Sequence, residues 1–329
     1  MYYGDISPRT AAYADRKLLK RAQPNNILGQ FGQNRPLPTK NGKTIIFRRY
    51  NSLAAATVPL QEGVTPTGKS LTKTDVQVSV DQYGDFVTIT DIILDHHEDP
   101  VLNESIEILG EQAAKTWDLL RAGVLTAGTN LYYSNGLLRT AVNKTITRDI
   151  LRRVDRILGR AEAEKITSIV QAGPKVSTEP IPPAYVVVHH VDLKMDVEAC
   201  EGFVPVHKYA STQGLINGEY GSVGEFRFVI DNNLTPWADA GGVFDGSGTS
   251  MLSTTGAKAD VYPMLVFAKN AYGVVPLAGK ESVSTYVNNP KSSISDPLAQ
   301  RGTVGWKGST ATVILYDNYM LRIEVAARA

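Results

Sequence analysis

The sequence predicts an α+β protein, because helical and strand patterns occupy separate parts of the chain. Amphipathic helical patterns dominate the middle, between Val101 and Ala161. After Ala184 the pattern changes to short apolar runs between glycine-rich turns, which is typical of strands. Helices and strands that are segregated in this way favour an α+β architecture over a repeating βαβ chain.

The composition is that of a globular chain with a sizeable core. Its 329 residues are 43% hydrophobic, and this length suits one large domain or a few smaller ones. Cys200 is the one cysteine of the sequence, which excludes an intrachain disulfide and indicates synthesis in a reducing compartment, the cytoplasm. No run approaches the roughly 18 apolar residues of a membrane helix, and no signal-peptide pattern is present. We therefore expect no contact with a membrane.

The net charge of +1 hides an asymmetry between the start of the chain and the rest. Residues 1–50 carry ten Lys or Arg against two Asp, whereas the remaining residues carry 24 basic and 31 acidic side chains. A basic arm of this kind can face nucleic acid or lie across the acidic body of a neighbouring molecule. The basic residues before the strap are Arg9, Arg16, Lys17, Lys20 and Arg21.

The first elements are predicted to be a short helix on an extended strap. Ser7 and Pro8 are typical of an N-cap and a first helical position, and the helix is expected to end near Ala22. Pro36 and Pro38 favour an extended path through the strap that follows.

A projecting two-stranded arm is predicted next. Its strands are Thr44–Tyr50 and 75–92, joined by a turn-rich loop that has no apolar face of its own. The apolar alternation of the second strand shifts phase at residues 82–84, which indicates a bulge. Because such an arm exposes backbone and apolar groups that it cannot cover by itself, it needs a partner.

The arm loop contains a match to the phosphate-binding pattern G-x-x-x-x-G-K-[ST]. The matching residues are Gly63, Gly68, Lys69 and Ser70. The pattern binds phosphate only where a buried strand precedes it and a helix begins at the Lys-Ser pair. Here Pro59 interrupts the preceding run, and residues 71–80 alternate with the period of a strand. We therefore interpret the match as a false positive. Asp317 is a formal magnesium candidate near the C-terminus, but Asp317 and Asn318 fit a hairpin turn equally well.

The helices of the middle each bury one face. The first is predicted from residue 101 to about 133, and the second begins near Thr147 with arginines along its outer side. The predicted strands after Ala184 are 185–191, 225–230, 261–268, 272–277, 310–316 and 319–325.

Two groups of histidines and carboxylates raise the question of a metal site. They are His96, His97, Glu98 and Asp99, and His189, His190 and Asp192. Adjacent strand residues point to opposite faces, and a metal needs ligands that converge from separate segments. Asp231, Asp239 and Asp245 offer oxygen atoms in a glycine-rich loop, but their spacing fails the calcium-loop pattern. We predict no metal, no cofactor and no catalytic residue.

Ten segments of the chain resemble the N4-type major capsid family of tailed bacteriophages, which has the HK97-like fold. They are YGDISPRTAAY (3–13), FRRY (47–50), EGVTPTG (62–68), QYGDF (82–86), HEDP (97–100), LGEQAA (109–114), GFVPV (202–206), PWADAGG (236–242), ADVYP (259–263) and QRGTVGW (300–306). The order of strap, arm, long helix, second helix and β-rich remainder agrees with this fold.

The resemblance implies a division of the chain into regions. They are an N-terminal arm (1–43), an extended loop formed by a long β-hairpin (44–92), a peripheral domain (93–184) with a spine helix (101–133), a β-rich axial domain (185–294), a return strand of the peripheral domain (295–317) and a C-terminal strand (318–329).

The function that the resemblance implies is self-assembly into hexamers and pentamers of an icosahedral phage head around double-stranded DNA. Expected partners are copies of the chain, a portal protein, a separate scaffolding protein, optionally a decoration protein, and the packaged DNA through nonspecific contact. The location would be the virion shell, after synthesis in the bacterial host cytoplasm.

Contacts between subunits are expected along the arm and at the start of the strand that follows it. The residues chosen are Arg48, Arg49, Tyr50, Glu62, Pro66, Lys69 and Tyr83. Two alternatives stay open at this point. An encapsulin-like compartment shell would enclose enzymes in place of DNA, and a P-loop or metal-dependent hydrolase would bind nucleotide or metal as a monomer.

Overall fold

The structure is a computed structural model that describes residues 26–329 except 39, 41, 61, 64, 66, 91–100, 168–181, 210–214, 244–250, 278–282, 291 and 293–296. Several predicted features lie outside these described residues. They are the N-terminal helix, the basic residues Arg9, Arg16, Lys17, Lys20 and Arg21, the group His96, His97, Glu98 and Asp99, and the loop residues Pro66 and Asp245.

The described residues form an α+β arrangement in which strands predominate. The helices are α1 (Val101–Leu125), α2 (Arg148–Arg160) and α3 (Lys194–Glu198). The strands are β1 (Gln33–Asn34), β2 (Thr44–Tyr50), β3 (Lys73–Ser79), β4 (Asp81–Thr90), β5 (Leu131–Tyr133), β6 (Tyr185–His189), β7 (Phe203–Pro205), β8 (Glu219–Val223), β9 (Phe226–Ile230), β10 (Val261–Phe267), β11 (Tyr272–Pro276), β12 (Val283–Asn288), β13 (Arg301–Ile314) and β14 (Met320–Ala326).

A seven-stranded mixed sheet forms the centre of the larger core. Its strand order is β5-β14-β10-β6-β9-β8-β7, and every residue of β6, β10 and β14 is buried. These strands are continuous apolar runs because both faces of the sheet are covered. The amphipathic helix α2 packs on one face through Leu151, Val154 and Leu158. Leu28 and Leu125 pack on the other face.

A second sheet is built around the long strand β13. This strand pairs with β4, β11 and β12, and β1 is added to β11. Helix α1 lies on this sheet, where the ring of Trp117 is edge-on to the rings of Tyr83 and Trp306, with centroids 5.8 and 5.5 Å away. Trp306 also donates a hydrogen bond from its ring nitrogen to Gln112, at 3.1 Å. These contacts fix one face of α1 against the sheet.

The predicted second arm strand, 75–92, is two strands that belong to different sheets. β3 pairs with β2 to form the arm, whereas β4 pairs with β13 in the body. The change occurs at Val80, which is buried and donates its N–H to the carbonyl of Lys43. The predicted bulge at residues 82–84 is wrong, because these residues pair with 307–309 in unbroken register. The phase shift in the sequence marks the passage from one sheet to the other.

The predicted end of the first long helix is also wrong. Helix α1 ends at Leu125, and residues 131–133 form β5, which pairs in parallel with β14. The turn between them is held by Asp317, whose carboxylate accepts hydrogen bonds from the N–H groups of Thr129 and Asn130 at 3.1 Å. Asp317 itself begins a single helical turn, Asp317–Tyr319, that joins β13 to β14. The predicted hairpin at this point is wrong, because these two strands lie in different sheets.

The segment predicted as the axial domain, 185–294, contributes to both sheets. β6 to β10 lie in the seven-stranded sheet, and β11 and β12 pair with β13. The C-terminal strand β14 lies inside the seven-stranded sheet, between β5 and β10. The division into regions stays a prediction about the assembled particle. Among the described residues, no helix combines the length and the apolar character that a membrane crossing requires.

Candidate intersubunit surface

The arm formed by β2 and β3 carries an exposed loop, residues 51–72. Its stem is held by paired backbone groups and by Arg48, which donates two hydrogen bonds to Asp75 at 2.8 and 3.1 Å. The last rung is the N–H of Asn51, which donates to the carbonyl of Thr72 at 2.9 Å. These contacts make the stem a defined strand pair, from which the loop projects.

The loop exposes apolar side chains that the described part of the chain does not cover. Val58 is 81% exposed and Leu60 is 79% exposed, and Leu53 and Leu71 are also exposed. Scattered exposed apolar residues are ordinary, but a group of them on a single projecting loop indicates a contact surface. Tyr50, at the end of β2, is exposed in the same way and extends this surface to the stem.

Among the described residues, the phosphate-binding pattern in the loop is not followed by the helix that phosphate binding needs. Gly63 has a positive φ of 77°, as a turn requires, and the first regular element after Ser70 is the strand β3. The ammonium group of Lys69 donates a hydrogen bond to the carbonyl of Ala54 at 2.9 Å. The helix N-terminus that the chemistry needs is replaced by a strand, so Lys69 fastens the two sides of the loop to each other.

The predicted intersubunit residues fall in three places. Arg48 and Arg49 lie at the stem, Glu62 and Lys69 lie exposed in the loop, and Pro66 is outside the described residues. Tyr83 lies in β4 with its ring against Trp117 of the same chain. Its ring therefore belongs to the core under α1, and its role between subunits stays a prediction.

Sequence reasoning did not select an exposed aromatic groove on the second sheet. Residues of β4, β12 and β13 line a cavity of about 650 Å³. Phe86 is 64% exposed there, and the ammonium group of Lys307 lies 5.2 Å from the ring centre of Tyr286. The alternation of residues in β4 could have revealed this groove. Tyr83, Val87 and Ile89 fall on one face of the strand, and Phe86 falls on the other. Phe86 adds a second apolar surface near the root of the arm.

His189 and His190, which were weighed as metal ligands, have structural roles. His189 is fully buried, and its ring nitrogens lie 2.7 Å from the carbonyl of His190 and 2.8 Å from the hydroxyl of Tyr220. Burial lowers the pKa of His189 to about 4, which keeps the ring neutral. His190 lies 3.1 Å from Asp192. Among the described residues, no three His, Cys, Asp or Glu side chains come together as metal ligands would.

Asp231, Asp239 and Cys200, which were also considered as chemical groups, have structural roles as well. The carboxylate of Asp231 accepts a hydrogen bond from the N–H of Asn233 at 2.9 Å, and that of Asp239 accepts one from Ser253 at 3.1 Å. Each of the two therefore stabilises a separate turn. Cys200 is buried, and burial raises the pKa of its thiol to about 11. A thiol with so high a pKa is a poor nucleophile near neutral pH.

Comparison with known proteins gives a family and a fold. A family model described as phage capsid protein matches residues 73–320. The major capsid protein of Pseudomonas phage KPP21 is 26% identical over an alignment of 241 residues, and the match covers 69% of this chain. The chain spans 60% of the length of that relative.

Two solved phage capsids have similar structures. The capsid of Ralstonia phage GP4 has a TM-score of 0.64 and 12% identity, and the match covers 93% of this chain and 88% of that one. The Cyanophage Pam1 capsid asymmetric unit has a TM-score of 0.62 and 12% identity, with coverage of 92% and 91%. These likenesses confirm the predicted HK97-like α+β fold, while the assignment to the N4 type stays a prediction.

The family is one of structural proteins, so the prediction that the chain is not an enzyme is confirmed and the hydrolase alternative loses its basis. The matched region begins at β3, in the arm, and ends at the start of β14. It therefore includes the long helix α1 and every strand of the two body sheets except β1 and nearly all of β14. This chain belongs to the phage capsid protein family.

Proposed function

We propose that this chain is the major capsid protein of a tailed phage and assembles into the hexamers and pentamers of an icosahedral head that encloses double-stranded DNA. The observation that carries the proposal is the projecting arm, whose loop exposes Val58 and Leu60 outside any core of the chain. On a body of the HK97-like fold, such an arm is complete only when it lies on another subunit.

The contact between arm and neighbour would be of the head-to-tail kind. In such a contact different surfaces of two subunits meet, and the contacts close into a ring when the rotation between subunits allows it. The arm would supply Arg48, Arg49, Tyr50, Glu62 and Lys69 together with the apolar residues of its loop. Many modest interfaces of this type would stabilise the shell jointly.

The other partners belong to the same proposal. The basic residues Arg9, Arg16, Lys17, Lys20 and Arg21 would lie on the acidic surface of a neighbour or contact packaged DNA nonspecifically. The shell would form in the virion with a portal protein, a separate scaffolding protein and optionally a decoration protein as partners, after synthesis of the chain in the host cytoplasm. Purified particles that contain protein cargo in place of DNA would point to an encapsulin-like compartment.

Removal of the loop tests the proposal directly. Tyr50 pairs with Lys73 in the stem, so a two-residue Asn-Gly turn can replace residues 51–72 and close the hairpin. Because the loop adds no buried core, we expect the thermal unfolding midpoint to change little. We expect the wild type to form uniform hollow particles by electron microscopy, and the shortened chain to form none.

The control is a chain of full length in which Ser52 and Ser70, both exposed in the loop, are changed to Ala. This variant should assemble as the wild type does, because the apolar contacts of the loop are kept. Normal shells from the shortened chain would show that the arm is not needed for assembly and would contradict the proposal.

A further inference from the structure

A cleft between the arm stem and the body contains three arginines. It has a volume of about 260 Å³, and Arg35, Arg48 and Arg49 line it together with the rings of Tyr316 and Tyr319. Among the described residues that line the cleft, none is acidic. We call this site the arginine cleft.

Contacts within the chain orient each guanidinium group of the arginine cleft. Arg48 uses its Nε and Nη2 atoms for Asp75. The guanidinium of Arg49 lies 3.9 Å from the centre of the Tyr316 ring, and Arg35 donates from Nη1 to the carbonyl of Ile46 at 3.2 Å. A guanidinium has five N–H donors. Stacked or singly bonded guanidinium groups therefore keep donors for a further acceptor.

The charge in the cleft is not balanced by the described residues. Asp75 pairs with Arg48 and also lies 3.7 Å from the ammonium group of Lys73, while the described residues place no carboxylate within ion-pair distance of Arg35 or Arg49. Planar guanidinium groups bind planar carboxylates through paired hydrogen bonds. The cleft is therefore suited to an oxyanion that enters between these two side chains.

We propose that the arginine cleft binds a carboxylate side chain of a second copy of this chain, and thus fixes the angle at which the arm leaves the body in the shell. This inference rests on the proposed function, because the second copy is the neighbouring subunit. The complementary charge exists in the chain, since the residues after Tyr50 carry 31 acidic side chains against 24 basic ones. The position at the root of the arm makes the cleft continuous with the arm surface.

The shape of the cleft favours a carboxylate over nucleic acid. Duplex DNA carries one charge per about 1.7 Å of its axis, and proteins bind it with basic side chains spread along an open face. The arginine cleft is small and has aromatic walls, with Phe47, Tyr316 and Tyr319 among its lining residues. One carboxylate fits this space, whereas a rigid DNA duplex would contact only the rim of the cleft.

The test is the double variant Arg35→Gln and Arg49→Gln, with the double variant Lys40→Gln and Lys43→Gln as the control. The control removes the same charge from exposed residues near the stem that do not line the cleft. The protein concentration at which shells form would be measured by light scattering and electron microscopy at low and high salt. We expect the cleft variant to need at least about tenfold more protein at low salt. The control should stay within about twofold of the wild type.

A cleft variant that assembles like the control would overturn the inference. Thermal unfolding midpoints show whether each variant is folded, and the variant Arg35→Lys and Arg49→Lys, which keeps charge but loses the paired donors, should fall between the cleft variant and the wild type. A short fluorescent DNA duplex provides a further measurement. Loss of duplex binding in the cleft variant, with unchanged assembly, would assign the cleft to nucleic acid and also overturn the inference.

Failure of the proposed function gives a different result. In that case the wild type itself would form no shells. The inference would then be tested by measuring self-association of the unassembled chain by sedimentation. Weaker self-association of the cleft variant than of the control would support the inference on its own, and equal self-association would refute it.

Discussion

At the scale of single residues, a buried polar group fastens the start of the described chain to helix α1. Asp118 is fully buried and accepts a hydrogen bond from the N–H of Ile27 at 2.8 Å. Arg121 donates to Asp118 and to Asn26. Burial raises the pKa of Asp118 to about 7, and the nearby Asp231 adds to the rise, whereas the Ile27 N–H and Arg121 act against it. The stability of the contact between Ile27 and α1 therefore depends on pH through Asp118.

The pH dependence of Asp118 has a definite sign. A carboxyl group whose pKa is higher in the folded state than the ordinary 3.8 binds its proton more tightly when folded. Its contribution to stability is therefore complete below about pH 4 and is lost as the pH rises through about 7. At about 1.4 kcal/mol per pKa unit, the loss amounts to roughly 4 kcal/mol at most.

The change Asp118→Asn removes this titration and keeps an oxygen for the Ile27 N–H. We expect the free energy of unfolding of the variant, relative to the wild type, to rise from about pH 4.5 to about pH 8, measured by urea denaturation of the unassembled chain. Asp149→Asn, at an exposed position of α2, is the control and should show no such trend. A difference between wild type and Asp118→Asn that is constant with pH would contradict the assignment.

A second residue, Glu324, neutralises two arginines inside the seven-stranded sheet. It is fully buried in β14, where Arg139 donates two hydrogen bonds at 2.7 Å and the Nε atom of Arg322 lies 2.9 Å away. Arg139 also stacks on Trp237, with its guanidinium carbon 3.7 Å from the ring centre. Glu324 thus holds β14 to the turn at residue 139.

We expect Glu324→Gln to lower the free energy of unfolding by about 3 kcal/mol, because the amide leaves buried positive charge without its counterion. Guanidinium chloride denaturation of the unassembled chain would measure this. The matched control is Glu201→Gln, which breaks an exposed pair with Arg148 and should cost less than about 0.5 kcal/mol. Equal losses in the two variants would show that burial does not strengthen the Glu324 pairs.

At the scale of elements, the passage of the chain from β3 to β4 connects the arm to the body. The ten paired positions of β4 and β13 hold β4 firmly in the second sheet. β4 and β13 leave no room for a side chain at Gly84, since a Cβ atom added there would be 2.6 Å from the carbonyl oxygen of Trp306. The root of the arm therefore depends on a residue without a side chain.

We expect Gly84→Ala to destabilise the body by about 2 kcal/mol, because the methyl group would force the two strands apart. Gly68→Ala is the control, since a Cβ atom there meets nothing within 4 Å and should change stability by less than about 0.5 kcal/mol. Thermal unfolding of both variants would measure this. A stable Gly84→Ala protein would show that β4 can shift away from β13 at little cost.

At the scale of the whole molecule, the body buries its apolar faces within the chain, whereas the arm leaves apolar groups exposed. The body buries both faces of its seven-stranded sheet and one face of α1 within the chain. The loop at residues 51–72 and the arginine cleft present apolar groups and charge that the described part of the chain leaves open. Under the proposed function, assembly with other copies of the chain would cover these surfaces.

Local patterns in the sequence were enough to predict several elements closely. Strand β2 has the predicted bounds, and α2 begins directly after Thr147 and buries the apolar face that its spacing indicated. The alternation of residues 71–80 correctly predicted a strand, and not a helix, after Ser70. Each of these features depends on residues within a few positions of one another, so the period of apolar residues determines it.

Long-range contacts decided the features that the sequence did not reveal. The end of α1 at Leu125 depends on the turn that Asp317 holds. The passage at Val80 from the arm strand to the body strand depends on pairing with β13. The arginine cleft depends on Arg35, Arg49 and Tyr316, of which Tyr316 is distant in the sequence from the two arginines. The sequence by itself determined the fold class, the family resemblance and the presence of an arm. Only the tertiary structure decided which sheet each strand joins and which charges meet, because these depend on partners far apart in the chain that no local period can identify.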